Sequence, residues 1–222
     1  GIAGRFGKDF DISAMAEMSD EFYDAFAPVR WPVADVQQGG RFFADGRFFH
    51  PDGKARFVAV AHKAPAAKAG RRYPFCLNPG RVRDQWHTMT RTGLSARLSS
   101  HLAEPYIDVH PEDAARLDIE LADLVDVQSP SGTCILRARI TTDVKPGEVF
   151  APMHWTGETA PSARIDALVA AAVDPVSGQP ESKASVVSIA KLKADWYGFA
   201  VSKDTPPPDC AYWALARTQP GC

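Results

Sequence analysis

The sequence predicts a mainly β fold, a barrel of short strands with small helices set between them. Short runs of residues suit strands, one of them alternating strictly with a period of two. Turn-forming residues separate these runs, and the helical signals between them are brief. With 222 residues, 45% of them hydrophobic and 23% charged, the chain has enough apolar material for a real core.

Taken in order, residues 1 to about 62 open with a short helical signal. Ser19 suits its cap, Asp20 and Glu21 its first turn, and Phe22, Tyr23 and Phe26 its apolar face, before Pro28 stops it. Arg41–Phe49 and Arg56–Val60 read as strands, with turns at Asp45-Gly46 and Pro51-Asp52-Gly53. Lys63 to Gly70 is rich in Ala, Pro, Lys and Gly and reads as a linker. Residues 1–69 are therefore expected to end one domain and link it to the next, with 70–192 as the barrel and 193–222 as an extension. Within the barrel, Tyr73–Leu77 and Tyr106–Val109 are strand-like. His110-Pro111-Glu112-Asp113 starts a short helix, because proline suits the first helical position and acids suit the first turn. Leu124–Gln128 and Thr133–Thr141 form a hairpin across Ser129-Pro130-Ser131-Gly132. In its second strand Cys134, Leu136, Ala138 and Ile140 share one face. Lys145-Pro146-Gly147 turns into a strand through Phe150, Ser162–Val169 reads as a helix, and Ser185–Ile189 closes the set. The extension carries Pro206-Pro207-Pro208 and the aromatics Trp196, Tyr197, Tyr212 and Trp213, which suit packing onto a neighbouring surface.

Several function classes fall away. A net charge of −2 gives no global field for nucleic acid or membrane, and the apolar stretches fall far short of the roughly 20 residues of a membrane span. Cys76, Cys134, Cys210 and Cys222 are scattered without metal-ligand spacing, so reduced thiols in a cytoplasmic protein are expected. His50, His62, His87, His101, His110 and His154 lack zinc spacing, and no catalytic triad or carboxylate pair stands out. Gly1 to Phe10 shows no secretory signal. The chain lacks an initiator Met and is expected to begin in mid-sequence.

The chemistry concentrates between Arg71 and Arg97, where six arginines face one acid, Asp84. Gly80 lets backbone approach a ligand, Arg81 and Arg83 offer forked donors for phosphate, and Thr88, Thr90 and Thr92 add hydroxyls. Trp86 and His87 add planar surfaces with ring N–H groups. Together they suit an anionic, planar, phosphorylated heterocycle. A solvated basic loop anchored by Trp86 in the core uses the same residues, as does a nucleic-acid strip, which needs a wider positive surface. A second group, Phe150 to Gly157 followed by Asp166, Asp174-Pro175, Ser177-Gly178 and Lys183, reads singly as structure. His154 and Trp155 end a strand and cover the core.

In this order the two groups resemble assimilatory nitrate reductases of the molybdopterin oxidoreductase superfamily. The resemblance lies in Leu77 to Gly93, in Glu104-Pro105 through Ala114, in Pro152 to Thr156 and in Asp174 to Glu181. Ala27 to Pro32, Asp45 to Phe48 and Trp196 to Phe199 add to it. It implies a six-stranded double-psi β-barrel that helps hold Mo-bis(molybdopterin guanine dinucleotide). It implies cofactor contacts from Pro79, Gly80, Arg81, Val82, Arg83, Asp84, Gln85, Trp86, His87 and Thr88, and further on from Asp166 and Lys183. Met153 falls where relatives place a residue facing the substrate funnel. Pro79 stands where the family usually has Thr, and Asp166 where Asn is common.

The family's cysteine cluster for a [4Fe–4S] centre and its molybdenum-ligating segment have no counterpart here. The resemblance therefore implies a cofactor-binding part of a longer nitrate reductase, inactive alone. Its partners would be the remaining domains of the same polypeptide and an electron donor, with neither nucleic acid nor membrane. The same superfamily acting on another substrate such as formate, or a free-standing β-barrel interaction module without cofactor, are the other readings.

Overall fold

Six strands close on themselves in the computed structural model, which describes residues 12–31, 33, 43–202 and 209–218. They are β1 (Phe75–Gly80), β2 (Tyr106–Val109), β3 (Leu124–Gln128), β4 (Thr133–Ile140), β5 (Glu148–Pro152) and β6 (Ser185–Lys191). Around the barrel the order is β1-β5-β2-β4-β3-β6, and β6 pairs back onto β1. The β1–β5 and β2–β4 pairs are parallel and the others antiparallel. Exchanging β1, β2 and β3 for β4, β5 and β6 leaves every neighbour and every sense unchanged. In each half one strand is inserted between two consecutive strands, β4 between β2 and β3, and β1 between β5 and β6. These are the two ψ crossings of the expected double-psi barrel.

The core follows the pleat. Phe75 and Leu77 of β1, Ile107 and Val109 of β2, Val125 and Val127 of β3, and Leu136 and Ala138 of β4 are buried. Val149 and Ala151 of β5 and Val187 and Ile189 of β6 complete the set at the same two-residue spacing. Asp108 is also buried, but Arg139 on the paired strand holds both its oxygens, at 2.5 and 2.8 Å. A buried carboxylate is tolerable only with such partners.

Because β1, β3 and β5 run one way and β2, β4 and β6 the other, the connections 81–105, 129–132 and 153–184 all emerge at one end of the barrel. Two of them are long. The opposite end is capped by α3 (Pro111–Arg116), named after α1 (Asp20–Asp24) and α2 (Ala96–Ser99). His110 Nδ1 accepts from the Glu112 amide to cap α3, with Pro111 in the first turn as expected. Buried Asp113 accepts from the Gly147 amide at 2.7 Å, pinning the turn into β5.

The strand expectations hold closely for β2 and β3, whose limits are those read from the sequence. β1 runs further, through Asn78-Pro79-Gly80, because Pro79 and Gly80 continue the register with Ala151 and Pro152. The helix expected over Ser162–Val169 is instead two 3-10 turns, Pro161–Ala163 and Ile165–Leu168.

The chain divides into residues Gly1–His62 and Lys63–Cys222. In the first unit Ser19 Oγ caps α1, accepting from the Phe22 amide at 3.2 Å. Turns form where expected, with Gly46 and Gly53 at φ of +73° and +67°. The strands expected at Arg41–Phe49 and Arg56–Val60 are absent among the described residues; Arg41 and Phe42 lie outside those residues. Phe57, Val58 and Val60 are exposed and find no partner strand, and strand-like sequence without a ladder does not make a sheet.

Candidate functional site

Every expected ligand-contacting residue sits in or beside the connections at the one barrel end. Pro79 and Gly80 finish β1, buried, with Gly80 packed against Phe150; a Cβ there would lie 2.4 Å from the Phe150 ring. The Gly80 carbonyl accepts from the Met153 amide at 2.9 Å, continuing the parallel ladder past β5. The Pro79 carbonyl accepts from Lys183 Nζ. β1, β5 and the 3-10 turn Ser182–Ala184 therefore bring Pro79, Gly80, Met153 and Lys183 together.

The chain then loops from Arg81 to Gly93. Arg81 is exposed and makes no ion pair among the described residues; its guanidinium lies 5.5 Å from the Trp86 ring. Trp86 is 62% exposed, so it does not anchor the loop in the core. It meets the His87 ring edge-on at 4.6 Å. Thr88 and Thr90 share a hydrogen bond of 3.0 Å, and both are exposed. Arg81, Trp86, His87 and Thr88 thus form a surface of cationic, planar and hydroxyl groups open to a ligand.

Other residues of the same segment face inward or pair with one another. Arg83 and Asp84 form a bidentate pair, and His101 Nδ1 lies 2.6 Å from Oδ2, the oxygen that also accepts from Arg83 Nη2. The hydrogen bond from Arg83 holds Asp84 below the usual carboxylate range, with His101 acting the same way. Gln85 is buried, its amide oxygen accepting from Thr92 Oγ1 at 2.7 Å while that same oxygen of Thr92 accepts from the Trp86 amide at 3.1 Å. This network braces the turn beneath Trp86. Asp166 is exposed on the 3-10 turn Ile165–Leu168, which packs on Gly132: a Cβ at Gly132 would lie 2.5 Å from the Ala167 carbonyl. Asp166 is on the same barrel end but makes no described contact with the 79–88 segment.

His154, which the sequence places at a strand end covering the core, has a second role that the sequence does not show. It is fully buried, its Nε2 accepts from the Val82 amide at 2.9 Å, and its Nδ1 lies 2.6 Å from the His87 carbonyl. A carbonyl cannot donate, so Nδ1 carries the proton and Nε2 is bare. Burial lowers the imidazole's basicity and the charge of Arg81 adds to that, against the hydrogen bond to His87. The two partners lie 72 and 67 residues away in sequence. No local spacing could have signalled them.

A cavity of about 620 Å³ opens beside this loop. Its lining includes Gln85, Thr88, Met89 and Thr90 of the loop, Trp155 to Thr159, and Leu215 and Arg217 of the C-terminal segment. That segment docks through the Leu215 amide on the Thr159 carbonyl at 2.7 Å and the Tyr212 hydroxyl on Glu104 at 2.9 Å. Tyr212 thus packs as expected of the tail aromatics, whereas Trp196 and Tyr197 stay exposed.

Residues 75–186, β1 through the start of β6, match the family model described as the Molydopterin dinucleotide binding domain. The chain belongs to this family. Relatives similar to this chain are much longer. A nitrate reductase of Klebsiella oxytoca is 42% identical over 211 residues, covering 95% of this chain and 24% of that protein. The alpha subunit of an F420-dependent formate dehydrogenase of Methanocaldococcus jannaschii is 33% identical, covering 74% of this chain and 24% of that one. An assimilatory nitrate reductase catalytic subunit of Bacillus subtilis is 32% identical, covering 72% and 22%. The chain spans about a quarter of the length of these relatives. No helix among the described residues is long and apolar enough to cross a membrane.

Proposed function

We propose that this chain is the cofactor-binding C-terminal part of a cytoplasmic molybdenum nitrate reductase and holds part of Mo-bis(molybdopterin guanine dinucleotide). The observation that carries the reading is the 42% identity to a nitrate reductase across 95% of the chain. The barrel end fits the group chemically: Arg81 has no ion pair among the described residues and lies by the exposed Trp86 ring, and the exposed His87 ring and Thr88 hydroxyl follow on the same loop. Of the expected contacts, these four offer free donors or faces. Pro79, Gly80, Val82 and Gln85 shape the backbone that presents them, and Arg83 and Asp84 neutralise each other beside it. Lys183 holds the Pro79 carbonyl, and Asp166 would act separately, from the 129–132 side. Met153, exposed at the end of β5, would face the substrate funnel.

When bound, the molybdenum centre supplies two-electron oxygen-atom transfer, taking nitrate to nitrite. Residues 70–192 would bind and orient the dinucleotide, 1–69 would end the preceding domain and 193–222 would seal the barrel. The remaining domains would bring the [4Fe–4S] cluster and dock an electron donor. A formate-oxidising enzyme is the second reading, favoured by the formate dehydrogenase relative. Purification of the longer polypeptide that this reading requires, with molybdenum analysis and turnover assays, tests both. Nitrate reduction with stoichiometric molybdenum is expected, and none by the 222-residue chain. Formate oxidation without nitrate turnover would move the reading to the second; a polypeptide that takes up no molybdenum would leave a free-standing β-barrel module.

A further inference from the structure

Nothing in the composition of the 81–93 loop explains why it holds one shape. His87 and Met89 both lie in the left-handed region, at φ of +41° and +60°, although neither is glycine. Such a backbone conformation is unfavourable for a residue with a side chain and persists only where surroundings enforce it. Among the described hydrogen bonds, the backbone of Arg81–His87 makes one within itself, from the Gln85 amide to the Val82 carbonyl at 3.4 Å. What closes it is His154, which stands one residue past Met153, where the β1–β5 ladder ends. Its two ring nitrogens take the Val82 amide and the His87 carbonyl, the two ends of the stretch that carries Trp86.

We propose that His154 is a positioning residue: as a neutral imidazole with its proton on Nδ1, it clamps Val82 to His87 and so fixes how Arg81, Trp86 and Thr88 face the ligand. The inference rests on the reading that this loop meets the dinucleotide, and deepens it. Only a ring that donates at one nitrogen and accepts at the other satisfies both backbone groups. An imidazolium would set a second N–H against the Val82 N–H and release that end of the clamp. The charged and titratable groups that act on the ring are Arg81 and His87, both on the clamped loop. Arg81 therefore disfavours the imidazolium, and the same loop both uses the clamp and protects its neutral form.

Long-range proton–nitrogen correlation spectra of the histidine-labelled 222-residue chain test the clamp directly. His154 is expected to show the Nδ1–H tautomer and to stay neutral at a pH where exposed histidines are charged. An Nε2–H tautomer, or titration alongside the exposed histidines, would overturn it. In the longer polypeptide, His154→Leu should lower molybdenum content about tenfold, as loss of supporting partners around a site commonly does. His154→Gln, which keeps one donor and one acceptor, should recover most of it. A loaded, folded His154→Leu protein with an unchanged Val82 amide exchange rate would also sink the clamp. If His154→Leu does not fold, the tautomer measurement still decides. Absence of molybdenum from the wild-type polypeptide would instead remove the cofactor reading and leave the tautomer result standing.

Discussion

Arg81 and Arg83 stand two residues apart on the same loop and have opposite electrostatic situations. Arg83 is paired with Asp84, while Arg81, without an ion pair among the described residues, lies by the Trp86 face. Replacing Arg81 by Ala should cost the longer polypeptide about tenfold in cofactor affinity, the usual scale of one charge-assisted hydrogen bond. Arg83→Ala should cost clearly less. Equal losses in molybdenum content from the two variants would remove the distinction. The arginine excess made this loop legible in the sequence, because charge of one sign without acids is visible in one dimension. Which arginine is free was not legible, since Asp84 could pair with either neighbour. Cysteine chemistry is simpler at this scale: burial beside Asp126 pushes the Cys134 thiol up to about 12. Cys134 should resist alkylation by iodoacetamide in the native chain and react once denaturant unfolds it. Rapid native labelling, read by mass spectrometry, would contradict the buried position.

Between elements, the barrel end depends on close approaches and on ion pairs at the junctions. The Gly132 turn admits the Ala167 carbonyl, so Gly132→Ala should cost about 1–3 kcal/mol in denaturant unfolding, as overpacking does. A neutral result would mean that the Ile165–Leu168 turn shifts freely. Acid sensitivity belongs to the same junctions. Asp84 and Asp174 are held below 3.8 by hydrogen bonds, the first from Arg83 and the second from Ser177. Asp123 is too: burial, the largest single influence, acts upward, but the bonds from Lys191 and the Glu120 amide and the charges of Lys191 and Arg137 together outweigh it. The stability these groups contribute is complete above about pH 4 and is lost as pH falls through their lowered values. His154 acts earlier. Its folded value lies below 6.5, so the unfolded chain binds the proton first and stability declines as pH falls below 6.5. Urea titrations across pH should show both limbs, with the upper one missing in His154→Gln; a flat profile between pH 7 and pH 5 would exclude the His154 contribution. Strands and caps were readable from the sequence because Ser19, His110-Pro111 and the alternation in β4 act over a few residues. The 3-10 turns at Pro161–Ala163 and Ile165–Leu168 were not, since their form is set by packing on β4 rather than by their own periodicity.

The closed barrel depends on pairings that local sequence does not announce. Alternation in β4 says that one face is buried, but not that β4 is inserted between β2 and β3. The resemblance supplied that topology, and the register bears it out. Arg56–Val60 shows the other side of the same rule, with good strand composition and no ladder to join among the described residues. The buried cluster draws on residues from Phe75 to Ile189, with Tyr212 and Ala214 packed against it, all of them within Lys63–Cys222. A chain starting at Lys63 should therefore retain the β signature in circular dichroism and unfold in one cooperative transition. Trypsin should reach it naturally, because Lys63, Lys68, Arg71 and Arg72 are exposed between the first unit and β1. A resistant fragment beginning in that stretch and ending in the C-terminal segment is the expected product. Its absence, or loss of the cooperative transition on truncation, would mean that the barrel needs the preceding residues to fold. Loss of the Tyr212–Glu104 bond through Tyr212→Phe, by contrast, should leave the transition cooperative and shift only its midpoint, because that contact seals the barrel from outside its strand ladder.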